Sequence, residues 1–326
     1  MGRGGGALPN ASRAGQVGKG CGKGRVKSPL AVETGVLLAR MTTVGIGGPA
    51  RAVARAKTLA ELEEALTWAQ AEELAVRPIG LGSNVLAADE GVDALVIRLE
   101  GELASAEVLG DLLIAGGGAA NAVCLHRARA AGLGGFEFAC AIPGTAGGGV
   151  RMNAGAYGSD WSAILERALI VDAGGSRWLS GAELDLSYRH SSLGAGEVVA
   201  RVEFRLVPRS AGKIKETIDE MLVRRKETQP TNKRTFGSVF KNPKHELGAG
   251  RMIELCGLKG YRIGGALIST RHANFIENAG TATAHDALEL MAEARRRARE
   301  QFGVVLEREV ELLGEIEGPD AGVRSK

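Results

Sequence analysis

Histidine and cysteine are scarce in this chain, at five and four residues among 326. The cysteines, Cys21, Cys124, Cys140 and Cys256, form no C-x-x-C pair. That argues against a zinc site or a disulfide framework and fits a reducing cytoplasm. The histidines have no metal-like spacing, so no metal is expected. A net charge of +3 is too small to imply a nucleic-acid partner. No apolar run approaches the ~20 residues of a membrane span, and none is expected. The first 30 residues lack both an acidic residue and an apolar stretch, so they are not a secretory signal. Basic and rich in glycine, residues 1–35 read as a disordered tail; residues 317–326, ending PDAGVRSK, read as a second.

Glycine, by contrast, is abundant, with 48 residues. The length favours about two domains. Thr58 and Glu61 make a capping box, and Leu59, Leu62, Ala65, Leu66 and Ala69 then give one apolar helix face. AVRPIGLGSNVL looks like a strand ending in a glycine turn, and DALVIRL and DLLIAGG are strand-like. AANAVCLHRARAAG reads as a helix closed by Gly132, and IPGTAGGGVRMNAGAYG as a long loop of small residues. ALIVDAGGSRWLS is a hairpin and VVARVEFRLVP an alternating strand. Pro208, Ser210 and Gly212 mark a boundary between a unit at 36–209, itself divisible near 100, and a second at 210–316. Thr283 and Asp286 open a long helix that stops at Gly303, and VVLEREVELLG is a last strand. Strands and helices mix without a regular rhythm, so the fold class is α+β and not doubly wound.

Three glycine-dense stretches stand out: GIGGPAR at 45–51, GLGSN at 80–84 and IPGTAGGG at 142–149. Glycine permits positive φ and brings bare N–H groups close to an anion, so such loops suit a pyrophosphate. None matches a Rossmann fingerprint or a phosphate loop, and each alone is more often a tight turn. Three together favour one large phosphorylated ligand. Arg189 in LSYRHSSL could fork onto a carboxylate or phosphate, or simply form a surface ion pair. In LEREVELLG, Glu307, Glu309 and Glu311 share one face, which usually means a solvated one. EARRRARE at 293–300 likewise reads as a solvated stripe. RTFGSVFKNP places Ser238 behind a glycine and among apolar neighbours, with Lys241 and Asn242 just after it.

In this order the motifs resemble the UDP-N-acetylenolpyruvoylglucosamine reductase (MurB) family. The likeness runs through TTVGIGGPA, LGSNVL, IPGTAGGGVRMNAGAYG, YRHSSL, GSVFKNP, GLKGYRIGGALIS, HANFIEN and LEREVELLG, over residues 36–314. The resemblance implies an FAD-binding domain of the vanillyl-alcohol-oxidase type in two subdomains, about 36–100 and 101–209. A C-terminal α+β substrate-binding domain at 210–316 would follow. It also implies NADPH-dependent reduction of UDP-N-acetylglucosamine enolpyruvate to UDP-N-acetylmuramate in peptidoglycan synthesis, with non-covalent FAD, by a cytoplasmic monomer.

By the same resemblance, Ser238 is the proton donor, while Arg189 and Glu309 stabilise the enolate. Tyr188, Lys241 and Asn242 would bind substrate. The flavin site would draw on Gly45, Gly47 and Gly48, on Gly80, Gly82, Ser83 and Asn84, and on Ile142, Pro143, Gly144, Thr145 and Gly148. Asn153, Gly155 and Tyr157 complete it. The short interval between YRHSSL and VVARVEFRL matches the shorter subtype, which lacks a tyrosine-bearing loop over the substrate. Phe236, Leu267 and Arg151 depart from the family pattern.

Overall fold

The computed structural model describes residues 32–316 together with Met1, Gly2 and Gly318. The expected tails therefore fall largely outside the described residues. Residues before the expected start at Val36 already belong to the fold: Glu33 exchanges backbone hydrogen bonds with Val53, and Val32 packs on the first lobe's core.

The first lobe is a four-stranded sheet in the order Val36–Leu37, Pro49–Ala56, Val92–Leu99, Ala75–Pro78. Helix α1 (Leu59–Ala71) lies on one face of it. Thr58 Oγ1 accepts the Glu61 N–H, and Glu61 takes the N–H of Lys57. Leu62, Ala65, Leu66 and Ala69 bury the stripe that the 3.6-residue period lays down. The second lobe is a five-stranded antiparallel sheet, Gly175–Ser180, Leu165–Asp172, Val198–Arg205, Leu112–Gly116, Ala106–Leu109. Helices α2 (Asn121–Ala130) and α3 (Ala146–Met152) accompany it. Its core holds an edge-to-face cluster of Phe136, Phe138, Trp161 and Phe204.

Helix α3 corrects the expectation of an irregular loop at IPGTAGGGVRMNAGAYG. Thr145 caps it, its Oγ1 accepting the Gly148 N–H at 3.3 Å. Three glycines ordinarily disfavour a helix, but here close packing requires two of them. A Cβ on Gly147 would lie 2.9 Å from the Gly117 carbonyl oxygen, and one on Gly149 would lie 2.4 Å from Cε2 of Trp161. Tertiary contact overrides propensity.

Helix α4 (Ala211–Thr228), which the sequence reading places in the second unit, lies on the second lobe: Tyr157 Oη donates to the Met221 carbonyl and Arg225 Nη1 to the Cys140 carbonyl. The C-terminal unit contains α5 (Ala249–Leu255), α6 (Ala284–Phe302) and a three-stranded sheet, Arg262–Ile263, Ala266–Ile268, Ile276–Asn278. The capping box of Thr283 and Asp286 opens α6, and Gly303 closes it in the left-handed region. Its core also takes in Val44, Ile46, Leu86 and Ala88 from the first lobe. The last strand is short: Glu311–Leu313 pairs in parallel with Val85–Ala87. The chain thus returns to the lobe where it began, and this return brings Glu309 beside the glycine loop at 80–84.

Candidate active site

The three units enclose a cleft of about 1990 Å³. That is roughly twice the upper end of ordinary ligand pockets, ~1,000 Å³, and is room for a dinucleotide plus a second large ligand. One wall is Gly80–Val85 and another Ala141–Thr145 with Gly148; Ser83 Oγ ties them by donating to the Pro143 carbonyl at 2.7 Å. The third wall comes from the C-terminal unit, with Thr235–Ser238, Lys241 and Glu309.

Ser238 sits on an extended segment behind Gly237, whose φ of +78° is one that glycine tolerates without strain. That segment runs antiparallel to the start of LEREVEL. The N–H of Glu309 donates to the Val239 carbonyl at 2.8 Å, and the N–H of Lys241 to the Glu307 carbonyl at 2.9 Å. Ser238 and Glu309 are therefore carried on neighbouring stretches of backbone. The Ser238 hydroxyl is half-buried, lines the cleft, and has no hydrogen-bond partner among the described residues. A turn hydroxyl serving its own backbone would have one.

Arg189 approaches from the second lobe. Its Nε donates to Glu309 Oε1 at 2.7 Å and its Nη2 to the Gly155 carbonyl at 2.7 Å, while Nη1 makes no hydrogen bond within the described residues. Both side chains of the pair are largely buried, at 18 and 16 % exposure. Arg189 has a φ of +56°, one of five non-glycine residues in the left-handed region among the described residues; Tyr157, on the cleft wall, and Asn153, just behind it, are two others. Such backbone collects at functional sites. Burial pushes the Glu309 carboxyl above the usual value, opposed by the charge and hydrogen bond of Arg189 and by the charge of Lys241. Glu309 is further held by Asn84, whose Nδ2 donates to its carbonyl at 3.1 Å.

The cleft is more basic than acidic: Arg77, Arg151, Arg224, Arg225 and Lys233 join Arg189 and Lys241 on its walls. It also presents unmet polar atoms. Asn121 Oδ1, Thr235 Oγ1 and Arg225 Nε are buried without a hydrogen-bond partner, and all three residues line it. Buried polar atoms are normally paired, so the wall fits a ligand rich in donors, acceptors and negative charge, as a flavin dinucleotide is.

Residues 50–180 match the family described as FAD binding domain, and residues 229–313 match the one described as UDP-N-acetylenolpyruvoylglucosamine reductase, C-terminal domain. UDP-N-acetylenolpyruvoylglucosamine reductase 2 of Symbiobacterium thermophilum is 42% identical over 291 residues, covering 89% of this chain and 94% of that relative. The chain belongs to the UDP-N-acetylenolpyruvoylglucosamine reductase family. A MurB relative from Myxococcus xanthus is 42% identical over 289 residues, covering 87% of this chain and 93% of its own. The crystal structure of the MurB enzyme from Thermus caldophilus superposes with a TM-score of 0.76 at 38% identity, covering 87% of this chain and 99% of that one. The fold class follows: an FAD-binding domain of the vanillyl-alcohol-oxidase type, then the α+β domain characteristic of MurB.

Of the residues singled out in sequence, the cleft gathers Gly80, Gly82, Ser83, Asn84, Ile142, Pro143, Gly144, Thr145, Gly148, Gly155, Tyr157, Arg189, Ser238, Lys241 and Glu309. It does not gather Gly45, Gly47 or Gly48. A Cβ on Gly48 would fall 2.1 Å from the Asp89 carbonyl oxygen and one on Gly47 would fall 2.7 Å from Cβ of Ala87, so packing demands these glycines. Asn153 is buried behind the wall, with Nδ2 on the Ser187 carbonyl and Oδ1 on the Ser162 N–H. Tyr188 and Asn242 stand outside the cleft lining. The Asn242 N–H donates to the Tyr188 hydroxyl at 3.3 Å, and Asn242 Oδ1 caps α5 through the Ala249 N–H at 3.0 Å.

Two of the departures have structural accounts. Arg151 bonds the carbonyls of Gly194 and Glu197, and Phe236 is wholly buried in the C-terminal core. Sequence reasoning singled out neither Asn121 nor the Thr235 side chain, whose unpaired atoms only the fold brings to the cleft walls.

Proposed function

We propose that this protein reduces UDP-N-acetylglucosamine enolpyruvate to UDP-N-acetylmuramate in peptidoglycan synthesis, with FAD resident in the cleft and NADPH as the reductant. The observation that carries this reading is a serine hydroxyl, unpartnered among the described residues, that lines the same cleft as a largely buried arginine–glutamate pair. FAD held in the cleft would supply the hydride-transfer chemistry that links NADPH to the enolpyruvyl methylene carbon. The glycine walls at 80–84 and 142–148 would hold it, with Tyr157 beside them.

Addition at the methylene carbon leaves an electron pair on the neighbouring carbon, conjugated with the substrate carboxylate. Arg189 is poised to stabilise that charge, because Glu309 and Gly155 fix two of its nitrogens and leave Nη1 for the substrate. Ser238 then delivers a proton to the carbanionic carbon, completing the saturated lactyl ether, and recovers a proton from solvent. Serine is a weak acid, so it acts only against so strong a base and only when held in position. Lys241, paired with Glu307 at 2.6 Å, supplies a cation for the nucleotide's phosphates.

Among the described residues, no helix is long and apolar enough to cross a membrane. Three described cysteines are free thiols. The free thiols and the need for NADPH support a cytoplasmic location. Purified protein is expected to be yellow and to release flavin on heating. It is expected to consume NADPH in proportion to added enolpyruvyl substrate. NADPH consumption that ignores the substrate overturns this function.

A further inference from the structure

We propose that Asn274 is a positioning residue that sets where the Ser238 hydroxyl stands relative to Glu309. This rests on the reaction proposed above. Asn274 is 4 % exposed and does not line the cleft. Its Oδ1 accepts the Phe240 N–H at 3.0 Å, and its Nδ2 donates to the Phe240 carbonyl at 2.8 Å. Its own carbonyl accepts the Val239 N–H at 2.9 Å. One side chain thus acts as a complete strand neighbour for the residues that follow Ser238. On the opposite edge of the same backbone, the Val239 carbonyl takes the Glu309 N–H. Asn274, the serine segment and the glutamate segment therefore lie side by side across three hydrogen-bonded layers.

On the other side of Ser238 the chain is anchored as far as Phe236, buried in the C-terminal core, with Thr235 bridged to Glu277, and Gly237 stands between that anchor and the serine. Gly237 precedes it with φ +78°, in a region where glycine is free to swing, and the Ser238 side chain itself is not hydrogen-bonded among the described residues. The serine is placed by what grips residues 239 and 240. Only an amide of this length offers a donor and an acceptor at once to the N–H and carbonyl of one residue; aspartate loses the donor and leucine loses both. Asn274 is fixed in turn, its N–H donating to His272 Nδ1 at 3.2 Å. Proton delivery to carbon tolerates little misplacement, whereas flavin reduction by NADPH does not use Ser238. Loosening Asn274 should separate the two half-reactions.

The test uses the full-length, flavin-loaded protein with N274D, and N274S as a second variant should N274D fail to fold. Amide hydrogen exchange at Val239 and Phe240 is expected to speed up. Anaerobic flavin reduction by NADPH is expected to stay within about threefold of the parent. Reoxidation by the enolpyruvyl substrate is expected to slow by about 100-fold, the order of loss that a 1 Å misplacement produces. The solvent deuterium isotope effect on that step should rise as proton delivery becomes limiting. Equal slowing of both half-reactions, or reoxidation at the parental rate, overturns the positioning role and leaves the proposed reaction standing. Failure of the parent's own reduced flavin to react with the substrate overturns the reaction, and this role with it.

Discussion

Arg189 and Glu309, separated by 120 positions in sequence, meet in the cleft with Nε 2.7 Å from Oε1. The pair joins the second lobe to the segment that leads into the strand Glu311–Leu313, and among the described residues neither has another charged partner as close. Arg189→Lys keeps a positive charge but loses the fork that spans Glu309 and Gly155. Turnover of the enolpyruvyl substrate is expected to fall by about 10²–10³, the cost of losing one preorganised donor. Flavin content, read from the visible spectrum, should be unchanged. Parental turnover in the lysine variant would remove the guanidinium from its role.

Ser238→Ala separates chemistry from stability. The hydroxyl makes no hydrogen bond among the described residues, so thermal unfolding should shift by no more than the ~0.5 kcal/mol of a neutral substitution. Reduction of the flavin by NADPH should persist, while turnover of the enolpyruvyl substrate drops by about 10²–10⁴. Stopped-flow measurement of each half-reaction checks both.

Glu309 gives a pH signature. Burial, outweighing Arg189 and Lys241, raises its carboxyl above the ordinary 4.5. Between that value and the raised one the folded chain holds more protons than the unfolded chain, so stability falls as pH climbs through the window. Glu309→Gln should flatten this slope in pH-dependent denaturation. With the carboxylate needed to fix Arg189, the acid limb of substrate turnover should lie above 4.5 and vanish in the glutamine variant. An acid limb that survives in Glu309→Gln belongs to another group.

Two glycine substitutions should move stability in opposite directions. Gly149→Ala puts a methyl group 2.4 Å from the Trp161 indole, and overpacking of this kind costs about 1–3 kcal/mol. Flavin retention should fall as well, because α3 backs the cleft wall. Gly212, in the first turn of α4, has nothing within 4 Å of an added Cβ. Gly212→Ala should stabilise by about 0.5 kcal/mol, mainly by restricting the unfolded chain. Differential scanning calorimetry of the two variants is sufficient.

What the amino-acid order determined by itself was local or motif-bound. Thr58 and Thr283 announced their helix starts because a cap is built from residues three apart, and the glycine turn of the hairpin and the alternation of Leu306 to Glu311 were visible for the same reason. The motifs also carried the family. The tertiary structure alone decided which glycines line the cleft and which make room for a neighbour: the backbone of Gly148 faces the cleft, while Gly48 lies against Asp89. It decided that three consecutive glycines form a helix, because Gly117 and Trp161 press against the outer two, Gly147 and Gly149. It turned Glu309 from a solvated-looking residue into a buried partner of Arg189, and it gave Asn274 a grip on Phe240 that no spacing could reveal. Short-range signals are written in neighbouring residues, whereas burial, close approach and charge pairing depend on segments that meet only once the chain has folded.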